Sequence, residues 1–241
     1  EPEQADDAYR SFKAGHIIAD DAPEGAEDYV AALAEQVVAG LEAAGHPRCP
    51  GDVMATNPRW HQRLSGWRAE FAQWLDEPVP DAVLGASIFF DSRPLAGDHE
   101  LHAALVNEVA GRLPGARNLL GHLTAQAVDN DPPLGFFRGF VLGRSGEHKD
   151  LLDLKRGGVG AIVDLARVHA LAAGLTVVNT RARLRAVAGP GGLAPETAEG
   201  LVDALEFISH VRLAHQSRQQ EAGLPVTSWI SPDDLTTFER R

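Results

Sequence analysis

The chain has 241 residues, 44% of them hydrophobic and 23% charged, with a formal net charge of −12. That composition fits one or two globular domains and argues against a disordered chain, a collagen repeat or a coiled-coil rod. With 22 Lys and Arg against 34 Asp and Glu, the balance argues against a nucleic-acid partner; no apolar run reaches the ~18 residues of a membrane span and no signal-peptide order opens the chain, so a cytoplasmic protein with no membrane contact is expected.

In chain order, Gly15–Ala19 reads as a short strand. Residues 27–44 read as an amphipathic helix, with Tyr29, Val30, Leu33, Val37 and Leu41 at spacings of three and four and Gly45 as its C-terminal stop. Turn chemistry follows from His46 to Pro58. Trp60, Leu64, Trp67, Phe71 and Trp74 then form a helical stripe, read as a core seam; left exposed, it would favour a homodimer. Val83–Phe90 has the composition of a strand, ending on Asp91-Ser-Arg93. Beyond Gly97, helical patterns cover Leu101–Leu113, Leu119–Ala127, 160–173 and 195–221. Phe136–Leu142 and Leu151–Lys155 flank a polar loop in the manner of a hairpin. At the end of the chain Ser231, Pro232, Asp233 and Asp234 have the order of a helix start, which suggests that the chain is part of a longer protein. The expected fold class is α+β, mostly α.

Familiar catalytic signatures are missing. There is no H-E-x-x-H, no G-x-S-x-G, no phosphate-binding P-loop and no G-x-G-x-x-G, and the ten histidines share no ligand spacing. Cys49, the single cysteine, excludes an internal disulfide and reads best as a turn residue. Residues 132–185 carry nine Lys or Arg and four acids, a local +5 within an otherwise acidic chain. Such a stretch suits a small anionic ligand or, equally, a solvated face with internal ion pairs. Arg138, Lys149 and Lys155 are candidates to converge on a phosphate or carboxylate, the alternative being surface pairs with Asp150 and Asp153. Asp91, at the end of an apolar run, is a candidate metal ligand, or else a partner for Arg93.

Several motifs in order carry a resemblance. Cys49-Pro-Gly-Asp-Val-Met-Ala-Thr-Asn-Pro-Arg-Trp60, Ser87-Ile-Phe-Phe-Asp-Ser-Arg93, Pro133-Leu-Gly-Phe-Phe-Arg138, Gly146-Glu-His-Lys149, Leu152-Asp-Leu-Lys155 and Ile162-Val-Asp-Leu-Ala-Arg167 resemble a bacterial nucleotidyltransferase-like family similar to the amino-terminal part of protein-PII uridylyltransferase. The likeness runs from about residue 28 to the end. It implies a partial nucleotidyltransferase-type α/β module over 1–98 and a helical-bundle substrate-binding domain over 99–241, often preceded by CBS or cyclic-nucleotide-binding domains. It further implies a signalling role, Mg²⁺ as cofactor and UTP or ATP as nucleotide, with a small molecule or a protein as acceptor. By motif position Asp91 resembles the third carboxylate of a two-metal site, catalytic and metal-binding; Arg93, Arg138, Lys149 and Lys155 would contact substrate.

The chain departs from that pattern where the family carries its paired aspartates. Phe12 and Ala14 occupy those positions, neither able to bind a metal, and the Gly-Ser turn is missing. Asp129-Asn-Asp131 lies in a Pro-flanked loop after a helix and is not the missing pair. Two-metal transfer needs both nucleophile activation and charge stabilisation, so little or no transfer activity is expected of this chain. Three accounts fit: a fragment whose catalytic strand lies elsewhere, a pseudoenzyme kept for regulation, or a segment that omits residues completing the site. The alternative function is a noncatalytic regulatory module that binds an anionic nucleotide or a protein through the basic 132–185 stretch.

Overall fold

The computed structural model describes residues 13–129, 150–237 and 239–240; Arg138, Lys149 and the 136–142 arm of the expected hairpin lie outside them. The elements in order are β1 (His16–Ile18), α1 (Ala26–Ala43), β2 (His61–Arg63), α2 (Leu64–Asp76), α3 (Pro80–Phe89), α4 (His99–Arg112) and α5 (Arg117–Asp129). After these come β3 (Leu152–Asp153), a π-helical segment Leu154–Gly160, α6 (Ala161–Ala172), α7 (Thr180–Ala186), α8 (Pro195–Glu221) and β4 (Trp229–Ile230). The fold is α+β and mostly α, with two small two-stranded sheets among the described residues. No helix among those residues is long and apolar enough to cross a membrane. Two compact units form. One takes the described residues up to Trp74 together with Arg93–Val109, the other Leu75–Ser92 together with the described residues from Ala110 onward.

In the first unit β1 and β2 pair in parallel, His16 opposite His61 and Ile18 opposite Arg63, with α1 as the connection that parallel pairing requires. α1 closes as expected, Gly45 following it at φ 90° and donating its N–H to the Glu42 carbonyl. Arg63 fastens the β1–α1 turn. Its Nη1 donates to the carbonyls of Ala19, Asp20 and Ala22 at 3.0–3.2 Å, and its Nε to Glu27 at 2.6 Å. Asp20, from that same turn, accepts the Ser65 N–H at 2.9 Å and so caps α2 from 45 residues away. The tryptophan stripe is core. Trp60, Trp67, Phe71 and Trp74 are all buried, with neighbouring ring centroids 4.8–6.3 Å apart, and the Trp60 and Trp67 indole N–H groups donate to the Asp52 and His16 carbonyls. The condition under which the stripe would favour a dimer is therefore not met. The Cys49–Trp60 motif is a tight turn: Asp52 has φ 52°, Asn57 donates to its carboxylate at 2.7 Å, and Cys49 is buried.

The second unit corrects two expectations. Val83–Phe89 is helix, not strand, and Phe90 is its C-cap. Pro80 stands in the first turn of α3, where its missing N–H costs nothing, and Val83, Ala86 and Ser87 are buried, a helical spacing of three and four. The Ser87 hydroxyl donates to the Leu84 carbonyl at 2.8 Å. A continuous apolar run does not itself distinguish a buried strand from a buried helix. Likewise Ser231 caps a start, accepting the Asp233 N–H, but Pro232–Asp234 is one 3₁₀ turn. Leu235 then extends inward to pack with Leu152, Leu154, Val211 and Ile230, and that burial ends the turn.

The described arm of the expected hairpin, Leu152–Asp153, pairs antiparallel with Trp229–Ile230. Asp153 then caps the π segment, accepting the N–H groups of Lys155 and Arg156 at 2.9 Å. That segment runs so close to α8 that a Cβ on Gly158 would lie 2.9 Å from Ile208 Cγ2. Ile162, Ala166, Leu184 and Val202 join α6, α7 and α8 in a second apolar cluster. α8 spans the predicted 195–221, with Val202 and Val211 buried and Leu213 facing solvent.

Candidate functional site

The candidate site centres on Asp91, one residue beyond the α3 cap. Two arginines converge on it from far along the chain. Arg183 of α7 donates from Nη1 to Asp91 Oδ1 at 2.6 Å. The same side chain also donates to the Phe90 carbonyl at 2.9 Å and the Val177 carbonyl at 2.6 Å. Arg167 of α6 donates to Asp91 Oδ2 at 2.6 Å and Oδ1 at 3.3 Å, and pairs with Asp164, one turn earlier on its own helix. The Arg183 side chain is 1% exposed and that of Asp91 33%. The α7 start that aims Arg183 is fixed by Asn179, which accepts the Ala182 N–H.

Two positive and two negative charges thus balance in a largely buried cluster. Burial works against the charge of both guanidinium groups. For Arg167 the Asp91 and Asp164 carboxylates outweigh it and hold the pKa above the ordinary arginine value. For Arg183 burial prevails over Asp91, and repulsion from Arg167 adds to it, so the pKa lies below the ordinary value. An aspartate near a helix C-terminus also meets an unfavourable dipole, which the two arginines offset.

This geometry bears on metal binding. Mg²⁺ takes near-octahedral oxygen ligands at ~2.0–2.1 Å, drawn from one or two carboxylates, waters and phosphates. The Asp91 oxygens accept three guanidinium hydrogen bonds, and among the described residues no group of three or more His, Cys, Asp or Glu is placed to hold a metal. Ala14 offers only backbone, its N–H donating to the Val53 carbonyl. The described residues do not fit the two-metal donor set.

Of the other candidates, Arg93 and Lys155 lie within the described residues. Arg93 is exposed and belongs to the first compact unit; the ion pairs of Asp91 within the second unit are with Arg167 and Arg183. Lys155 is half-buried on the π segment. Most of the described arginines in the basic stretch are committed to carboxylates: Arg181 to Glu206, Arg185 to Glu199, and Arg167 and Arg183 to Asp91. Sequence reasoning missed Arg183 and Asp164 as members of one cluster. The signal was the alternation Arg181-Ala-Arg183-Leu-Arg185: once 180–186 is helical, Arg181 and Arg185 share one face and Arg183 takes the opposite one.

Residues 117–241 match the family described as "Putative nucleotidyltransferase substrate binding domain", and residues 14–81 match "Putative nucleotidyltransferase DUF294". The chain belongs to this nucleotidyltransferase family. Arg167, Arg183 and Asp164 lie within the substrate-binding match, and Asp91 falls between the two matched stretches. A 28-residue stretch is 82% identical to beta-hydroxyaspartate dehydratase of Paracoccus denitrificans (strain Pd 1222). That stretch is 12% of this chain and 9% of the dehydratase. No solved structure matches the chain.

Proposed function

We propose that this chain is a substrate-holding member of a signalling nucleotidyltransferase system, one that binds UTP or ATP, or a protein acceptor, and transfers no nucleotidyl group itself. The observation that carries the reading is Asp91. The carboxylate that the family resemblance assigns to a metal is instead the shared counter-ion of Arg167 and Arg183, and Ala14 stands at one of the positions where paired aspartates would be needed. Within the second unit, Lys155, with Arg138 and Lys149, is proposed to meet the anionic part of the ligand by direct charge contact, without Mg²⁺ as a bridge.

Calorimetric titration with UTP and then ATP, each with and without Mg²⁺, tests this. Metal-independent binding, weakened by Lys155→Ala combined with Arg138→Ala, is the expected result. Mg²⁺-dependent binding together with incorporation of labelled nucleotide into an acceptor would overturn it. Asp91→Asn is a poor discriminator, because it also leaves two largely buried guanidinium groups short of their counter-ion.

A further inference from the structure

α1 keeps an apolar ridge out of the core. Ala34 and Val38 are buried, whereas Tyr29, Leu33 and Val37 are 69%, 37% and 44% exposed. These three stand at i, i+4 and i+8 on one face, a ridge of about 12 Å along the axis. Gly40 continues the same face. A glycine inside a helix costs about 1 kcal/mol relative to alanine, and nothing in the fold calls for this one: a Cβ added to Gly40 would meet no atom within 4 Å. An exposed ridge beside an exposed, uncrowded glycine is a surface shaped for close approach by another helix.

The charge around the ridge selects the occupant. Between Ala14 and Pro47 there are seven carboxylates and no lysine or arginine; Asp20, Glu27 and Glu42 pair with Arg68, Arg63 and Arg48, while Asp28 and Glu35 are exposed on α1 itself. A second copy would bring the same acidic surface against its like, within a chain of net charge −12, and an anionic lipid surface would be repelled in the same way. We propose that the Tyr29–Leu33–Val37–Gly40 face of α1 docks a basic amphipathic helix of a partner protein. Apolar side chains of that helix cover the ridge, its backbone comes closest at Gly40, and its lysines or arginines face the α1 carboxylates.

The test uses the whole chain and a fluorescently labelled 18-residue peptide, with leucines at helical spacing and lysines elsewhere, followed by anisotropy. The chain should bind this peptide at least tenfold more tightly than a scrambled peptide of identical composition. Gly40→Gln is the informative variant. It should keep or raise the thermal midpoint, since glutamine is the better helix former, yet weaken binding at least fivefold. Leu33→Glu should weaken it at least tenfold with an unchanged circular-dichroism melt, and Tyr29→Ser serves if Leu33→Glu folds poorly. Asp28→Asn with Glu35→Gln should weaken binding and flatten its salt dependence. Equal binding of the scrambled peptide, or wild-type affinity in Gly40→Gln and Leu33→Glu, would overturn the proposal. So would a marked drop in the thermal midpoint of both Leu33→Glu and Tyr29→Ser, which would place the ridge in the chain's own core. Sedimentation showing a dimer that Leu33→Glu dissolves would overturn it in favour of a second copy, and pelleting with phosphatidylserine vesicles in favour of a membrane.

Discussion

Arg63 in the first compact unit and Arg183 in the second each tie distant parts of their unit together, and the two are used differently. Arg63 in the first unit spends its donors mainly on three backbone carbonyls of a surface turn, with Glu27 as counter-ion. Arg183 in the second unit is fully buried and shares one carboxylate with a second arginine. Water can take over much of what Arg63 does if the side chain is lost. It cannot reach Arg183 so readily. A surface clasp and a buried keystone can therefore show similar hydrogen-bond counts and very different energetic weight.

Arg183→Met should consequently have the largest effect. Removing one partner of a buried ion pair costs about 3–5 kcal/mol, and here it also removes a donor from the carbonyls of Phe90 and Val177. Arg63→Met should cost about 1–2 kcal/mol. Urea unfolding followed by far-ultraviolet circular dichroism would order the two. Equal midpoints would show that the Asp91 cluster carries no special weight in the fold.

Close packing gives the next effect. Gly158→Ala places a methyl 2.9 Å from Ile208 Cγ2, overpacking that typically costs about 1–3 kcal/mol. Adding Ile208→Ala should recover part of the loss in the same denaturation assay, and strict additivity of the two substitutions would show that the contact does not limit the approach of the π segment to α8.

These elements also divide what the sequence made legible from what it did not. α1, α8 and the tryptophan stripe were readable because their apolar residues repeat at helical spacing over several turns. α3 was not, since Val83–Phe90 is apolar almost throughout and only its packing decides between helix and strand. The role of Asp91 was hidden for another reason: its partners stand 76 and 92 residues away, and no local pattern links them. The nearby Arg93 drew the pairing instead. The family motifs contain Asp91, Asp164 and Arg167, but only Asp91 was read as a site residue, and nothing in the motifs discloses that these side chains bind one another.

Helix caps sharpen the comparison at a smaller scale. Asn179 caps α7 from the adjacent position, and Asn179→Ala should cost about 1 kcal/mol, passed on to Arg183 because the cap sets the first turn that aims it. Asp20 caps α2 from across the chain at the surface, so Asp20→Asn should cost less. Thermal midpoints of the two variants would show whether the cap beside the buried cluster matters more.

The smallest expected effect is a pH dependence with a contribution from each unit. His16 Nδ1 and His215 Nε2 are buried without a hydrogen-bond partner among the described residues. The pKa of His16 is lowered by burial and then by His61, its register partner on β2. That of His215 is lowered by burial, against which a hydrogen bond to the Trp229 backbone acts. A histidine with a folded pKa below its unfolded value of about 6.5 takes up its proton more readily in the unfolded chain. The stability it contributes is full above that value and falls as pH drops through it towards the folded pKa. Carboxylates held below their ordinary range, such as Glu27 by Arg63 and Glu199 by Arg185, act with the same sign but only at more acidic pH, from about 4.5 downward. Urea midpoints at pH 7.5 and 5.5 therefore isolate the histidines. The midpoint should be lower at pH 5.5, and His16→Gln and His215→Gln should each shrink the difference, His16→Gln by acting on the first unit and His215→Gln on the second. A difference that neither substitution changes would assign the dependence to other groups.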